Sequence, residues 1–188
     1  MTVFEYAGGL ISIVVGLAVA RVLGGIGSFI RAGNRSASDW IVASWCLALV
    51  FNLVGWWYAG WAIFADRTEI GAAALIVWVV ATSLLYLAAY VLIPNAGLAA
   101  ASDSQAKPPP LPAAFFFCLA AHFGVGIALG LSIQGQGINT AFIQVATMAV
   151  VSAAGAAANS NQARGWHLVI WLVMLGVLMS GQTLGVRP

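Results

Sequence analysis

Residues 4–31 read FEYAGGLISIVVGLAVARVLGGIGSFIR, an apolar run long enough to cross a bilayer as one helix. Small residues recur in it at every fourth position, at Gly8, Ser12, Gly16, Ala20, Gly24 and Ser28. In a helix this spacing predicts one nearly straight, shallow groove, and in lipid such grooves let neighbouring backbones approach closely. The run also contains one charge, Arg21, which costs about 3 kcal/mol at the centre of a membrane helix. We therefore expect this helix to be the central packing element of the fold.

The composition is that of an integral membrane protein. The chain has 188 residues, of which 62% are hydrophobic and 6% are charged, and its mean hydropathy is +0.99. Apolar runs recur along the chain without the alternation of barrel strands. At about 20 residues per crossing, the length leaves room for six helices and short loops. The sequence thus predicts an all-α bundle of six transmembrane helices, and the net charge of +2 gives no reason to expect a nucleic-acid partner.

The chain divides at one long connection. Helices are predicted over residues 3–30, 40–65 and 70–93, and again over residues 113–133, 138–158 and 166–183. Residues 1–94 thus hold helices 1–3 and residues 113–188 hold helices 4–6 of one membrane domain, joined by a Pro/Ala/Ser-rich linker over residues 95–112. Three helices on each side of the linker allow a weak inverted 3+3 repeat, although no residue-level repeat accompanies it.

Charges near the predicted helix ends indicate an orientation. The N-terminus lacks the basic start of a signal peptide, so helix 1 is expected to be retained. Basic residues favour the side of the first, third and fifth loops, which carries Arg31, Arg35, Lys107 and Arg164 against Arg67 and Arg187 on the other side. By the positive-inside rule, both termini are predicted to lie on the non-cytoplasmic side.

Four segments together resemble a known family. They are GLAVARVLGGIGSFIRAGNR (residues 16–35), WxxxxWCLALVFNLVGWWYAGW (residues 40–61), LLYLAAYVLIP (residues 84–94) and NSNQARGWH (residues 159–167). The chain is similar in them to an uncharacterised family of small polytopic bacterial inner-membrane proteins. The resemblance covers most of helices 1–3 and one later turn. It implies a multi-pass protein of the bacterial inner membrane and implies no activity.

Four polar side chains from four predicted helices are candidates for a substrate-binding site. Counted from the cytoplasmic ends of their helices at about 1.5 Å per residue, Arg21 and His122 each lie about 13 Å inward and Tyr86 about 12 Å inward. Asn52 lies slightly deeper. Ionisable residues inside a membrane often mark functional sites. The sequence thus predicts a polar pocket around Arg21 in which Arg21 neutralises a small anionic ligand, His122 exchanges a proton, and Tyr86 and Asn52 orient the substrate.

A structural interpretation of the same residues stays open. Arg21 has a long stem that can reach the headgroups, where a lipid phosphate would satisfy it. His122 lies among small residues on its helix face, which suits a histidine that only fastens helices. The leading hypothesis is therefore a small transporter or channel-like protein. The alternative is a non-transporting structural or accessory subunit of a membrane complex, and small-residue grooves indicate a homo-oligomer in either case.

The sequence gives little reason to expect an enzyme or a bound cofactor. It contains no nucleophile elbow, phosphate-binding loop, zinc motif or cluster of carboxylates, so we predict no enzyme and no metal. The only other histidine, His167, lies about 10 Å shallower than His122, so one subunit offers no pair of haem ligands and no cofactor is expected. A redox protein that uses His122 across a subunit interface is the least favoured alternative.

Aromatic residues crowd the second half of helix 2, at Trp56, Trp57, Tyr58 and Trp61. This position near a helix end is typical of the aromatic belt at a membrane interface. A cage for a cation is the alternative that these rings allow.

Overall fold

The computed structural model describes residues 3–31, 37–64, 69–93, 111–134, 140–158 and 160–183. These residues form six α-helices: α1 (Val3–Arg31), α2 (Ala37–Phe64), α3 (Ala72–Leu92), α4 (Ala113–Gln134), α5 (Thr140–Ala157) and α6 (Asn161–Thr183). The described part of the chain is therefore all-α, as predicted. Of the predicted linker over residues 95–112, only residues 111 and 112 lie within the described part.

Four of the helices are long and apolar enough to cross a membrane. Candidate spans lie within α1, α2, α3 and α4, at Glu5–Arg31, Trp40–Trp61, Ala72–Leu92 and Ala113–Leu131. In α5 and α6 the apolar segments, Phe142–Ala157 and Ala163–Val177, are shorter. At 1.5 Å per residue these segments extend about 24 Å, less than the hydrocarbon core of about 30 Å. Length and composition thus support four of the six predicted crossings.

Five helices form a closed ring, and α1 packs outside it. In the ring α2 contacts α3, α3 contacts α4, α4 contacts α5, α5 contacts α6, and α6 returns to α2. Helix α1 packs along α2 and α3. The contacts of the two halves differ, because α1 approaches α3 closely whereas α4 and α6 meet through large side chains such as Phe123 and Trp171. The inverted repeat is therefore not confirmed by the packing.

Aromatic rings occupy the middle of this ring. The indole of Trp45 on α2 lies 5.3 Å from the ring of Phe115 and 5.2 Å from that of Phe116 on α4. Its centroid is also 5.8 Å from that of Trp171 on α6. All four side chains are buried. Because such rings are large, α2, α4 and α6 meet through side chains and the centre of the bundle is packed.

The prediction that helix 1 is the central packing element is wrong. Its buried residues are Ala7, Ile11, Val15, Ala18 and Val22, whereas Ser12, Gly16, Ala20, Gly24 and Ser28 of the predicted groove are exposed. An α-helix turns by about 100° per residue, so a spacing of four advances by about 40° at each step. Over the whole set the groove winds about 200° around the helix. It therefore leaves the buried face after Gly8 and crosses the outer face.

Helix α6 begins five residues earlier than residue 166, the predicted start. The backbone N–H of Ala163 donates to the Ser160 hydroxyl at 3.1 Å, and the N–H of Arg164 donates to the Ser160 carbonyl. Ser160 is thus an N-cap that satisfies one of the free donors of the first turn. The polar segment before Trp166 is helical for this reason, and it carries Arg164 into the bundle.

Candidate functional site

Arg21 joins α1 to the end of α3. Its guanidinium donates to the carbonyl oxygen of Ile93 at 2.8 Å and lies 4.8 Å from the centre of the Tyr90 ring. Ile93 is the C-terminal cap of α3, where carbonyl groups lack helical donors and the helix dipole is negative. A positive side chain there satisfies a carbonyl and stabilises the helix end. Gly25, one turn beyond Arg21, leaves room for Ile93, since a Cβ at Gly25 would lie 2.5 Å from its side chain.

His122 on α4 is fully enclosed and bonded to α3. Its side chain is 1% exposed, and Nδ1 lies 2.9 Å from the carbonyl oxygen of Ala81. Since a carbonyl can only accept, Nδ1 carries the proton of this bond and the neutral ring keeps Nε2 as an acceptor. The indole of Trp56 on α2 meets the imidazole edge-on, with centroids 4.7 Å apart. His122 therefore fastens α4 to α3 and α2.

The same Trp56 extends the polar contacts to Thr82. Its Nε1 donates to the Thr82 hydroxyl at 2.9 Å, and that hydroxyl donates to the carbonyl of Trp78 at 2.8 Å. Thr82 is fully buried. A hydroxyl that accepts one bond and gives one is satisfied without water, so α2 and α3 are joined by a dry hydrogen-bonded chain.

The two remaining predicted site residues, Asn52 and Tyr86, lie on α2 and α3 respectively. Asn52 is one turn before Trp56 on α2, is 5% exposed, and its amide nitrogen has no hydrogen-bond partner. Tyr86 is one turn before Tyr90 on α3, half-buried, and packs against the apolar core. A buried amide donor without an acceptor costs free energy, so the Asn52 amide would gain a hydrogen bond from water or from a ligand that reached it.

Two of the four predicted site residues, Arg21 and His122, lie at different levels. Arg21 bonds the carbonyl of Ile93 and His122 that of Ala81, and these positions are twelve residues apart on α3. The separation along the helix axis is about 18 Å. The prediction that Arg21 and His122 share one layer is therefore wrong. Helix α1 continues for ten residues beyond Arg21, whereas α3 ends at the level of Arg21. The helix ends therefore lie at different levels, and counting from them gives Arg21 and His122 the same depth although their levels differ.

Arg164, which the sequence places only among the loop charges, is buried in the bundle. Its side chain is 7% exposed, donates from Nη1 to the carbonyl oxygen of Leu111, and lies 5.7 Å from the centre of the Phe116 ring. Leu111 lies two residues before Ala113, the first residue of α4. The signal that could have revealed it is Ser160, an N-cap residue type whose helix would carry Arg164 in its first turn.

The described ranges contain no cluster of side chains that could ligate a metal. No group of three or more His, Cys, Asp or Glu side chains there comes close enough to hold a metal ion. His122 faces Ala81, Trp56 and Phe123 inside the bundle, so its ring does not reach an outer surface where a second subunit could share a cofactor.

Comparisons with protein families, with curated proteins and with solved structures found no match to this chain. The fold defines an α-helical protein with four helices able to cross a membrane.

Proposed function

We propose that the protein is a non-transporting structural or accessory subunit of the bacterial inner membrane, with all six helices spanning the bilayer. One observation carries this proposal. Arg21 bonds the backbone carbonyl of Ile93 and His122 bonds that of Ala81, so the two side chains do not meet in one shared cavity. In lipid, hydrogen bonds between helices replace part of the hydrophobic force that drives association in water. These two residues then act as fasteners between helices.

The packing of the ring centre supports a closed bundle. Trp45 contacts Phe115, Phe116 and Trp171 there, Phe115 contacts Phe116, and each of the four rings is at most 1% exposed. A solute path along the axis would require these rings to separate. Helices α5 and α6 complete the ring and carry outward apolar residues such as Val150 and Val173. Since lipid suits that surface, both helices are proposed to cross the membrane together with α1–α4.

A second copy of the chain is the proposed partner of α1. Added Cβ atoms at Gly16 and Gly24 would meet nothing within 4 Å, and these positions alternate with Ala20 on the outer face. A partner helix that follows this winding row would cross α1 obliquely, as small-residue pairs of membrane helices commonly do. Native mass spectrometry from lipid nanodiscs should find a dimer or larger oligomer, and Gly16→Leu with Gly24→Leu should shift it to monomer. The matched change Gly176→Leu, at an open glycine of α6, should leave it unchanged.

The transport question is tested directly in sealed vesicles. We expect vesicles that contain the protein to release protons, alkali cations, chloride, phosphate and small organic acids at the rate of empty vesicles. Protein-dependent flux of any of these solutes, lost in Arg21→Met but kept in Arg31→Met, would overturn the structural proposal.

One observation favours the rival proposal of a transporter or channel-like protein. The Asn52 amide is buried, lacks an acceptor, and lies on the face of α2 that also carries Trp45 and Trp56. A conformation that opens the ring would expose it to a solute. Asn52→Leu separates the two proposals, because a structural bundle should gain thermal stability when an unsatisfied donor is removed, whereas a transporter should lose flux.

A further inference from the structure

The ring is closed by two contacts between the first half of the chain (α1–α3) and the second half (α4–α6), and their polar groups are bonded differently. Between α3 and α4 the pairing is direct, because Nδ1 of His122 lies 2.9 Å from the carbonyl oxygen of Ala81. Between α2 and α6 the indoles of Trp45 and Trp171 are in contact, with centroids 5.8 Å apart. Each side chain is 1% exposed, and neither indole N–H has a hydrogen-bond partner among the described residues. The contact of α2 with α6 therefore buries two donors together.

The hydroxyl of Ser152 on α5 is a third buried polar group of this kind. Its side chain is 1% exposed, and the hydroxyl has no partner within the part of the chain that the structure describes. Serine and threonine in helices often donate to the carbonyl four residues earlier, as Thr82 and Thr147 do here. Ser152 makes no such bond to its own helix, so its hydroxyl is available to another group.

The packing of α5 on α4 places this hydroxyl at the level of the two indoles. A Cβ on Gly155 would clash with the ring of Phe116, so α5 meets α4 there. Phe116 contacts the indole of Trp45, and Phe123, two turns further along α4, contacts that of Trp171. Residues 135–139 alone join α4 to α5, and helices joined by so short a loop run antiparallel. The serine hydroxyl, three residues before Gly155, therefore lies between the levels of the two phenylalanines, as the indoles do.

Water is the molecule that suits these three groups. An indole N–H can only donate and a hydroxyl can donate or accept, whereas a buried water both accepts and donates and makes about three hydrogen bonds. The two indole planes are inclined at 59°, so their edges diverge and leave a wedge between the rings. A water needs only about 10–15 Å³ of probe-occupied space. A larger acceptor would have to displace the phenylalanine rings that Trp45 contacts.

We propose that ordered water is bound where α2, α5 and α6 meet, held by the indole N–H groups of Trp45 and Trp171 and by the hydroxyl of Ser152. Water satisfies these buried donors nearly as well as a direct bond would, and it joins α2 to α6 where no direct hydrogen bond does. Asn52 lies two turns beyond Trp45, about 10 Å along α2, and is not part of this site. Because the site is enclosed, it is independent of whether the protein transports solutes or joins a complex.

Solid-state NMR of the full-length protein in bilayers of deuterated lipid tests for this water. The tryptophans are labelled with nitrogen-15 in the indole, and the transfer of magnetisation from water protons to each indole proton is measured. Trp45→Phe and Trp171→Phe assign the two signals. We expect transfer from water to both indole protons, although each side chain is only 1% exposed. Absence of transfer to either indole proton would overturn the proposal.

Variants of α5 locate the water beside Ser152. Ser152→Ala removes one of its partners, so the transfer to the indole protons of Trp45 and Trp171 should fall by about two-fold or more. Thr147→Val is the matched control, because the Thr147 hydroxyl donates to the carbonyl of Ile143 on its own helix, and it should leave the transfer unchanged. Equal transfer in the wild-type protein and in Ser152→Ala, or an equal loss in the two variants, would contradict the assigned site.

Discussion

The guanidinium of Arg21 and the carbonyl oxygen of Ile93, 2.8 Å apart, join the middle of α1 to the end of α3. The bond is charge-assisted and lies at the negative end of a helix dipole, so it is stronger than a neutral hydrogen bond. Arg21, the residue of α1 that costs the most free energy inside a membrane, thus caps the C-terminal end of α3.

Arg21→Met should lower the stability of the protein. The loss of a hydrogen bond to a charged group costs about 1.5–3 kcal/mol, and Arg21→Lys should recover only part of it because an ammonium lacks the planar fork. The thermal unfolding midpoint in maltoside micelles measures the effect. Arg31→Met is the control, since Arg31 is exposed and bonds only Ser28 on its own helix. Equal midpoints for Arg21→Met and Arg31→Met would contradict the capping role.

Trp56 and Thr82 should be energetically coupled. Thr82→Val keeps the shape of the side chain but leaves the Trp56 N–H buried without an acceptor, which costs about 1–3 kcal/mol. Once Trp56→Phe has removed that donor, Thr82→Val should cost less, so a double-mutant cycle should give a coupling of about 0.5–3 kcal/mol. Thr147→Val is the control, because the Thr147 hydroxyl donates only to Ile143 of its own helix. Strict additivity would show that the bond between α2 and α3 is not formed.

Gly60 should tolerate no larger residue. A Cβ there would clash with the Trp78 ring, and Phe64 limits the movement of that ring. Alanine favours the helix by about 1 kcal/mol, but overpacking typically costs about 1–3 kcal/mol. Gly60→Ala should therefore lower the unfolding midpoint, whereas Gly55→Ala, with open space on the same helix, should raise it or leave it unchanged. The opposite order of the two variants would contradict the packing of α2 on α3.

Ser160→Ala should weaken the start of α6. Loss of an N-cap costs about 0.5–2 kcal/mol, and here it also frees the turn that carries Arg164 to Leu111. Hydrogen exchange of the first-turn amides of α6 should become faster, while Ser160→Asp, which retains a capping oxygen, should preserve protection. Unchanged exchange in Ser160→Ala would mean that Ser160 does not hold this turn.

The helices were predictable because their signals are local. Helix α4 was predicted over residues 113–133 and is Ala113–Gln134, since an apolar run and the polar residues at its ends suffice to bound a helix. The late predicted start of α6 has the same origin, because the cap at Ser160 is a single side-chain contact inside a polar segment.

The packing faces were not predictable from a regular spacing. Gly8 and Gly24 belong to one pattern in the chain, yet about 160° of helix rotation separates them. Which face of α1 is buried depends on the side chains of α2 and α3 that meet it. The same holds for the candidate site. The sequence shows that Arg21 needs a partner, but the partner is the backbone carbonyl of Ile93, and a backbone atom cannot be recognised from residue types.

Arg21 and Arg164 bind the backbone on either side of residues 94–110, one at Ile93 and the other at Leu111. Each arginine belongs to the same half of the chain as the carbonyl that it binds. The two halves meet through α3 with α4 and through α2 with α6. A break in the chain between residues 94 and 110 would cut none of these contacts. We therefore expect two co-expressed fragments, divided between residues 94 and 110, to retain these contacts and to rebuild the bundle by complementation.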